Sequence, residues 1–259
     1  MKTRWRLIID PPMPPAFNMA ADQVLLNQQT ADSLPVFRIY FWNQPTLSIG
    51  KNQKIHSSLN WDWCAQHNVA VIRRVTGGQA VLHGQDITYS VIGNVKDPML
   101  GGGILQTYRT ISQGLFNFFQ SLGLSPEIQP HSTRDLARSA VCFEMPSAFE
   151  LLINGKKIVG SAQRQTTTAF LQHGTIPLNS QIEPLSHLFL KADPNKLSQE
   201  ITSLESENVL HGATTELLCD KLCDSFQTVF GMHWDRSGWT EQELEQIQAE
   251  ISNFPLSSP

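Results

Sequence analysis

Apolar residues recur along this chain with two periods, which predict a mixture of strands and helices. Short runs rich in β-branched and aromatic residues predict strands, and apolar positions three and four residues apart predict amphipathic helices. The predicted strands cover residues 5–10, 36–42, 46–50, 69–73, 88–93, 149–153, 157–162 and 169–175. Helices are predicted over residues 17–28, 60–66 and 106–122, and the chain from about residue 181 onward is mostly helical.

Turn residues indicate how these strands connect. Proline cannot donate a hydrogen bond to a neighbouring strand, so the four prolines between residues 11 and 15 are expected to end the first strand. The turn at Asn43-Gln44-Pro45 is expected to pair strand 36–42 with strand 46–50. Asn154-Gly155 suits a type I′ turn, which predicts a hairpin between 149–153 and 157–162. The predicted fold class is α+β, with a mixed, largely antiparallel sheet flanked by helices.

Residues suited to capping mark the starts of three predicted helices. Asn60 precedes the helix over 60–66, and Asp193 is followed by a proline at the first helical position. The run from Thr240 to Glu243 is a capping box that opens the last helix. We expect a single domain over residues 1–259, with a helical C-terminal part from about residue 181.

Composition narrows the class of protein. The 259 residues are 41% hydrophobic, which is ample for a sizeable core. The net charge of -4 argues against the broad basic surface of a nucleic-acid-binding protein. No apolar run approaches the roughly 20 residues that span a bilayer, and the N-terminal residues do not resemble a signal peptide. We therefore expect a cytoplasmic protein that binds neither nucleic acid nor membrane.

Three of the four cysteines lie on predicted helices, where a free thiol behaves as a small apolar side chain. Cys219 and Cys223 are four residues apart, but a structural zinc site normally needs four ligands. We therefore expect Cys64, Cys219 and Cys223 to be core residues, and we expect no metal. Cys142 lies in a different setting.

A glycine-rich turn follows the strand over 69–73. Arg73 and Arg74 enter it, Gly77 and Gly78 permit close backbone approach, and His83 follows. Such a turn offers backbone N–H groups and positive charge to an anionic or carbonyl-bearing ligand. Adjacent glycines are also common in simple hairpin turns with solvated arginines, so these residues alone leave both interpretations open.

The string over 73–83 resembles the catalytic loop of the biotin/lipoate A/B protein ligase family, in which Arg-Arg-x-Ser/Thr-Gly-Gly leads to a histidine. Residues 16–22 resemble the first helix of that family, and 42–50 its Trp-x-x-Pro-x-x-Ser-x-Gly stretch. Residues 157–163 resemble its Lys-x-x-Gly-Ser-Ala motif. These blocks occur in order between about residues 5 and 175. The resemblance implies a catalytic domain of the biotin/lipoate protein ligase type.

The resemblance also implies a set of substrate-binding residues around the turn and the lysine motif. They are Arg73, Arg74, Thr76, Gly77, Gly78, Gln79, His83, Gly160, Ser161 and Ala162. Arg73 and Arg74 are expected to contact the donor's phosphopantetheine or an acidic carrier protein, in a basic patch with Lys51, Lys54, Arg134 and Arg138. For His83 two roles stay open, lining the acyl carbonyl pocket or holding the turn by a hydrogen bond.

The family contains ATP-dependent ligases and octanoyltransferases, and the turn separates them. The ligases typically carry a third glycine where this chain has Gln79, whose side chain would crowd the phosphate of an acyl-adenylate. This weighs against adenylation. The octanoyltransferases of the LipM type also lack the third glycine, but they commonly have aspartate after the histidine. Gly84 stands there, which puts the role of an acid at this point in doubt.

A second segment, residues 139–147, resembles the cysteine segment of the LipM-type octanoyltransferases. That resemblance implies that Cys142 is the nucleophile and carries the acyl group as a thioester. Lys157 is the candidate cation that favours the thiolate and stabilises the developing oxyanion. Without the family context, Cys142 would be interpreted as a core residue and Lys157 as a solvated strand end.

The implied function is transfer of octanoyl from acyl carrier protein to the lysine of a lipoyl carrier domain, such as the glycine-cleavage H protein, in lipoate biosynthesis. Thioester exchange needs no ATP, so no cofactor is expected. Three alternatives stay open: an ATP-dependent lipoate–protein ligase, a lipoyl or octanoyl amidotransferase between carrier domains, and a non-catalytic acyl- or carrier-binding module.

Overall fold

A computed structural model describes residues 3–129 and 150–257 of the chain. The strands are β1 (Arg4–Met13), β2 (Val36–Trp42), β3 (Thr46–Ile49), β4 (Ala70–Arg73), β5 (Val81–His83), β6 (Asp86–Asn94), β7 (Pro126–Gln129), β8 (Glu150–Ile153), β9 (Lys156–Lys157), β10 (Gly160–Gln165), β11 (Ala169–Pro177) and β12 (His233–Arg236). The α-helices are α1 (Pro15–Gln28), α2 (Trp61–Gln66), α3 (Ile104–Ser121), α4 (Ile182–Leu188), α5 (Pro194–Glu200), α6 (Thr215–Phe230) and α7 (Glu241–Glu250).

The main sheet has six strands in the order β10-β11-β6-β2-β1-β12. The pairs from β10 to β2 are antiparallel, and the pairs β2-β1 and β1-β12 are parallel. Two three-stranded sheets, β4-β3-β5 and β7-β8-β9, accompany it. The prediction of a mixed, largely antiparallel sheet with flanking helices is confirmed.

Alternation along β2 shows how the main sheet is covered on both faces. Phe37 points into a core cluster formed with α3 and α6, and its ring stacks on Phe226 at 4.4 Å. Tyr40 points to the opposite face, into a cluster formed with α1 and α7. Gly114 lets α3 approach α6 closely, because a Cβ there would lie 2.7 Å from the Phe226 ring.

The first strand does not end at its prolines as the sequence predicted. β1 continues through Pro11 and Pro12 to Met13, with a shift in register between Ile9 and Pro12. The prolines are tolerated because β12 pairs only with Arg4 to Leu7, so the second half of β1 has a neighbour on one side only.

The predicted pairing of strand 36–42 with strand 46–50 is also wrong. Both edges of β2 are occupied, by β1 and by β6, so β3 joins a separate sheet between β4 and β5. The turn at Asn43-Gln44-Pro45 therefore carries the chain from one sheet to another. β5, β7 and β12 were not predicted.

The hairpin at Asn154-Gly155 is confirmed, since both residues have the positive φ of a type I′ turn, 50° and 74°. Its second arm is shorter than predicted: β9 ends at Lys157, and Gly160 begins β10 in the main sheet. Lys157 and the Gly160–Ala162 segment, which one sequence motif holds together, thus belong to different sheets.

Local signals at helix starts agree with the structure. The side chain of Asn60 accepts a hydrogen bond from the backbone N–H of Trp63, and that of Asp193 caps α5. Thr240 and Glu243 form the expected capping box. The three cysteines at positions 64, 219 and 223 are buried free thiols, as predicted. Over residues 3–129 and 150–257, no helix combines the length and the apolar character needed to cross a bilayer.

Candidate functional site

The glycine turn connects β4 to β5 and passes the end of β3, which lies between those two strands. Gly78 has φ of 84°, a value that side chains other than glycine rarely adopt. A Cβ placed on Gly50, just after β3, would lie only 1.9 Å from the carbonyl oxygen of Gly78. The turn therefore packs backbone against backbone at Gly50, a contact that the sequence did not predict.

Arg74 holds this turn from the inside. Its guanidinium donates to the carbonyl oxygens of Ser48, Gly77 and Gln79 at 2.9, 2.6 and 2.8 Å, and to Thr76 Oγ1 at 3.0 Å. Arg74 is only 4% exposed. This burial corrects the expectation that Arg74 belongs to a carrier-docking patch, because its charge is used to fix the shape of the turn.

Arg73 points outward and is exposed, unlike its neighbour. Its Nη1 donates to the carbonyl oxygens of Gly50, Lys51 and Gln53 at 2.7, 3.1 and 3.0 Å. Lys51 and Lys54 are exposed on the same segment. These three cations, which the sequence placed in one basic patch, therefore lie along a common stretch of surface.

The outer rim of the turn is formed by its two glycines and the residue that replaces a third. Gly77 and Gly78 are exposed. The Gln79 side chain accepts a hydrogen bond from Gln53 Nε2 at 2.7 Å. The backbone of the two glycines is thus accessible, with an ordered amide side chain beside it.

Two buried histidines line the same cavity as Arg74, and each lies within hydrogen-bond distance of an aspartate. His173 on β11 is 3.0 Å from Asp22 through Nδ1 and 2.6 Å from Thr76 Oγ1 through Nε2. Because Arg74 donates to Thr76 Oγ1, the hydroxyl hydrogen of Thr76 is available for His173 Nε2. If His173 is neutral and donates its Nδ1 hydrogen to Asp22, each donor in the series Arg74, Thr76 and His173 has an acceptor.

Burial and hydrogen bonding set the charges of this group. Burial lowers the pKa of His173, and it outweighs the hydrogen bond to Asp22 that favours the charged form. Burial also tends to raise the pKa of Asp22, but the hydrogen bond from His173 and the charge of Arg38 outweigh it, so that pKa lies below its ordinary value. The pair is therefore a neutral imidazole beside a carboxylate.

His83 is the second histidine. Its Nδ1 lies 3.0 Å from Asp86 Oδ2, its Nε2 lies 2.9 Å from Ser48 Oγ, and its ring stacks on Trp42 at 4.3 Å. Ser48, His83 and Asp86 thus form a hydroxyl–imidazole–carboxylate chain. Gly84 put the role of an acid after the histidine in doubt, and Asp86, three residues after His83, supplies that acid.

Asp86 is ionised despite its burial. Burial raises the pKa of this carboxyl group, but the charge of His83 and hydrogen bonds from His83, Thr175 and Thr88 together bring it below its ordinary value. The backbone N–H of Gly84 also donates to it, at 2.7 Å. Four donors therefore fix the carboxylate that orients His83.

A narrow cavity joins five of the predicted site residues, whereas Arg73, Thr76, Gly77, Gly78 and Gln79 do not line it. It is lined by Ser48, Arg74, His83, His173, Gly160, Ser161 and Ala162, among others. The structure thus brings the glycine turn together with the start of β10, although these segments lie about 80 residues apart in the chain. The free space is ≈ 20 Å³, about what one water molecule needs.

Lys157 is buried, which excludes the alternative that it is a solvated strand end. Its Nζ lies 2.5 Å from Glu150 Oε1, and both side chains are about 95% buried. Glu150 on β8 was not predicted as a site residue. Cys142, Arg134 and Arg138 lie outside the described residues, so the pairing of Lys157 with Cys142 stays a prediction.

Sequence reasoning missed several residues of this site. Asp22 and Gly50 lie inside motifs that were recognised, and a carboxylate on an apolar helix face is itself a signal of a buried partner. Ser48 is the serine of the Trp-x-x-Pro-x-x-Ser-x-Gly stretch. His173 and Glu150 carried no local signal, because their partners are distant in the chain or across a strand pair.

The depressed pKa of His173 predicts acid sensitivity of the fold. The unfolded imidazole titrates near 6.5, so below that pH the unfolded chain binds more protons than the folded chain. The contribution of His173 to the stability of the fold is therefore fully present above about pH 6.5 and is lost as the pH drops below that value.

We expect thermal midpoints to decline from about pH 7 to about pH 5. The decline should be smaller in His173→Gln and unchanged in His211→Gln, whose histidine is exposed. Equal slopes in all three proteins would contradict the prediction.

Comparison with known proteins adds to this geometry. The family model described as "Lipoyl protein ligase A/B catalytic domain" matches residues 14–227. Octanoyltransferase LipM of Bacillus subtilis (strain 168) is 40% identical over 263 residues, covering 95% of this chain and 93% of the relative. Octanoyltransferase LipM of Geobacillus kaustophilus (strain HTA426) is 39% identical, covering 80% and 81%.

Among solved structures, similarity extends over nearly the whole chain. A structure of lipoate-protein ligase A bound with ATP has a TM-score of 0.78 at 20% identity, covering 97% of this chain and 95% of that one. A structure of the archaeal lipoylation system of Thermoplasma acidophilum, with a bi-partite lipoate protein ligase, has a TM-score of 0.78 at 18% identity, covering 96% and 92%. At this identity the likeness shows the fold.

Proposed function

Because this chain belongs to the lipoyl protein ligase A/B catalytic domain family, we propose that it is an octanoyltransferase that works through a cysteine thioester. The donor is octanoyl-acyl carrier protein, the acceptor is the lysine of a lipoyl carrier domain such as the glycine-cleavage H protein, and the product serves lipoate biosynthesis. The observation that carries this proposal is the similarity, over 95% of the chain, to a relative named octanoyltransferase LipM.

The chemistry needs two acyl transfers to and from Cys142. The thiolate of Cys142 attacks the thioester carbonyl of the donor, the bond from the carbonyl carbon to the carrier sulfur breaks, and the carrier leaves as a thiolate that takes a proton from solvent. The lysine amine of the acceptor then attacks the new thioester, the amine gives up a proton, and the Cys142 sulfur leaves as the thiol. A thioester is already activated, so neither step consumes ATP. The amide product is more stable than the thioester, which makes the two transfers together favourable in free energy.

The described residues support four roles in these steps. Lys157 favours the Cys142 thiolate by its charge, and Glu150 holds the lysine in place. Gly77 and Gly78 are exposed, and their backbone N–H groups are the proposed donors to a developing oxyanion. His83, oriented by Asp86, lines the cavity that receives the acyl carbonyl group. Arg73, Lys51 and Lys54 offer positive charge to an acidic donor protein.

Intact mass spectrometry tests the proposal directly. Incubation with octanoyl-acyl carrier protein, without ATP, should add the mass of one octanoyl group to the chain, and Cys142→Ala should abolish both this adduct and transfer to the acceptor. Cys219→Ala is the matched control, because burial, with the charges of Asp220 and Glu216, raises the pKa of that thiol to about 12 and keeps it protonated.

Other outcomes would select a different function. Transfer by Cys142→Ala at the wild-type rate would exclude the thioester. Strict dependence on ATP with release of pyrophosphate would indicate a ligase, and acceptance of acylated H protein as sole donor would indicate an amidotransferase. Binding of the carrier without any acyl-enzyme would leave a non-catalytic binding module.

A further inference from the structure

A groove of ≈ 410 Å³ lies beside the strands β3 and β4 of the small sheet. Ile49 and Arg73, the last residues of these two strands, line the groove, whereas their chain neighbours Ser48 and Arg74 line the catalytic cavity. Successive residues of a strand point to opposite faces of its sheet. The groove therefore lies on the face of the small sheet that points away from the cavity.

One end of this groove reaches the glycine turn. Gln53 lines the groove, and its Nε2 donates to Gln79 Oε1 in the turn at 2.7 Å. Arg73 and Gly77 are four residues apart, so their Cα atoms are separated by at most roughly 14 Å. A ligand in the groove can therefore extend along the surface to Gly77 and Gly78, which are exposed.

The groove carries positive charge. Lys54 and Arg73 line it together with His56, and none of its described lining residues is aspartate or glutamate. Lys51, exposed on the same segment, adds a further cation. Neither Arg73 nor Lys54 forms an ion pair within the parts of the chain that the structure describes. The charge of this groove is therefore complementary to an anionic ligand.

Arg73 is held in place by backbone, unlike a freely rotating surface cation. Its Nη1 donates to the carbonyl oxygens of Gly50, Lys51 and Gln53, so the segment after β3 fixes the guanidinium. Nε and Nη2 have no acceptor among residues 3–129 and 150–257. A guanidinium that is fixed in this way and keeps two nitrogen donors for a ligand is suited to bidentate binding of a phosphate group.

The interior of the groove is apolar. Ile49, Ile55 and Val71 form its floor. Trp61, which is partly exposed, lies along one side with its ring 5.1 Å from the ring of His56. The volume lies in the range of small-molecule pockets, roughly 300–1,000 Å³, whereas two turns of a helix about 10 Å wide fill roughly 850 Å³. The groove therefore suits an extended chain better than a helix.

We propose that this groove binds the phosphopantetheine arm of the donor, with the phosphate on Arg73 and Lys54 and the remaining chain along Trp61 toward the glycine turn. The proposal rests on the proposed function, because it takes the donor to be an acyl carrier protein. Phosphate and thioester lie at opposite ends of the arm, so the phosphate site belongs outside the cavity. The extended arm has about the length of four residues, roughly 14 Å, and this length carries the thioester to Gly77 and Gly78.

The test uses the full chain and two soluble forms of the arm, phosphopantetheine and pantetheine, which lacks the phosphate. In the ¹⁵N-labelled protein, phosphopantetheine should shift the indole signal of Trp61. It should leave the indole signal of Trp5, which is buried in the core, unchanged. Pantetheine should bind about tenfold more weakly, because it loses the charge-assisted hydrogen bonds.

Two variants of the groove separate recognition of the phosphate from a structural role. Arg73→Gln should weaken binding of phosphopantetheine about tenfold and leave binding of pantetheine unchanged. This substitution also removes three hydrogen bonds to the backbone, so Lys54→Gln, at an exposed position, is the second variant and should weaken binding about two- to threefold. Arg109→Gln, at an exposed position on α3, is the matched control and should bind as the wild type.

Equal affinity for the two forms of the arm, or equal affinity in Arg73→Gln, Lys54→Gln and Arg109→Gln, would overturn the proposal. So would inorganic phosphate that binds as tightly as phosphopantetheine, which would indicate a site for any anion. Full competition by the carrier protein without its arm would likewise overturn it, since the groove would then bind an acidic protein surface.

Turnover adds a readout that a structural role of Arg73 would not give. Arg73→Gln should raise the KM for the octanoyl-carrier protein, whereas acyl-enzyme formation from octanoyl-pantetheine, which has no phosphate, should proceed at the wild-type rate. The two hypotheses fail separately. Absence of any acyl-enzyme in the wild type would reject the proposed function, whereas the titration with phosphopantetheine reports on the groove whether or not the chain transfers octanoyl.

Discussion

Replacement of Arg38 by methionine is expected to lower the free energy of unfolding by about 3–5 kcal/mol. Arg38 lies in the main sheet with none of its side chain exposed, and it bridges Asp10 and Asp22 at 2.7 and 2.9 Å. Burial alone would lower the pKa of this guanidinium, but the two aspartates keep it charged. Methionine fills similar space and leaves two buried carboxylates without their cation, which is the costly way to break a buried ion pair.

Urea denaturation followed by circular dichroism measures this loss, and Arg4→Met is the matched control. Arg4 pairs with Asp235 at 3.9 Å on the surface, with side chains 66% and 44% exposed, so its removal should cost less than about 1 kcal/mol. The double variant Arg38→Met with Asp22→Asn should lose less than the sum of the single losses, because one orphaned charge is gone. A loss in Arg38→Met no larger than in Arg4→Met would contradict the prediction.

The substitution Gly50→Ala is expected to reduce octanoyl transfer by about 100-fold, the order of loss that follows a misplacement of about 1 Å in an active site. The new Cβ would lie 1.9 Å from the carbonyl oxygen of Gly78, and the backbone of the glycine turn must shift to relieve this clash. The shift moves Gly77 and Gly78, which are proposed to bind the oxyanion, while β3 and the distant core are left in place.

Rates of transfer to the acceptor, with circular dichroism to verify folding, test this expectation. Gly103→Ala is the matched control, because a Cβ there meets no atom within 4 Å and its φ of -75° suits any residue. Gly103→Ala should transfer at the wild-type rate. Retention of full activity in Gly50→Ala would show that the precise position of the turn does not matter for transfer.

The buried Asp22–His173 pair connects these effects. Asp22 accepts from Arg38 and is bonded to His173, and His173 is bonded to Thr76 in the glycine turn. The turn is therefore attached to the charged network inside the main sheet. Thr76 contacts the turn's own Arg74 as well, so its conformation is held from the core and from within the turn.

Local features of this fold could be predicted because they depend on residues close in the chain. The helix α1, the caps at Asn60 and Thr240 and the hairpin at Asn154-Gly155 follow from spacing, side-chain capping and positive φ. The order of the family motifs was equally local information. It pointed to the glycine turn and the lysine motif before their contacts were known.

Contacts between distant segments could not be predicted in the same way. β3 was assigned to the wrong partner because its own residues do not reveal that β1 and β6 already occupy both edges of β2. β12 has a polar sequence without alternation and becomes a strand only because β1 offers it a free edge. Partner choice depends on which edges remain unpaired once the whole chain is folded.

The same division applies to the site. By itself, the sequence determined which residue types surround the glycine turn and which chemistry their family pattern implies. Only the tertiary structure decided that Arg74 is a buried support rather than a docking charge, that Lys157 is paired with Glu150, and that Asp86 orients His83. The physical reason is that burial and hydrogen-bond partners are properties of the assembled neighbourhood, and Asp22 meets His173 across 151 positions of chain that no local pattern records.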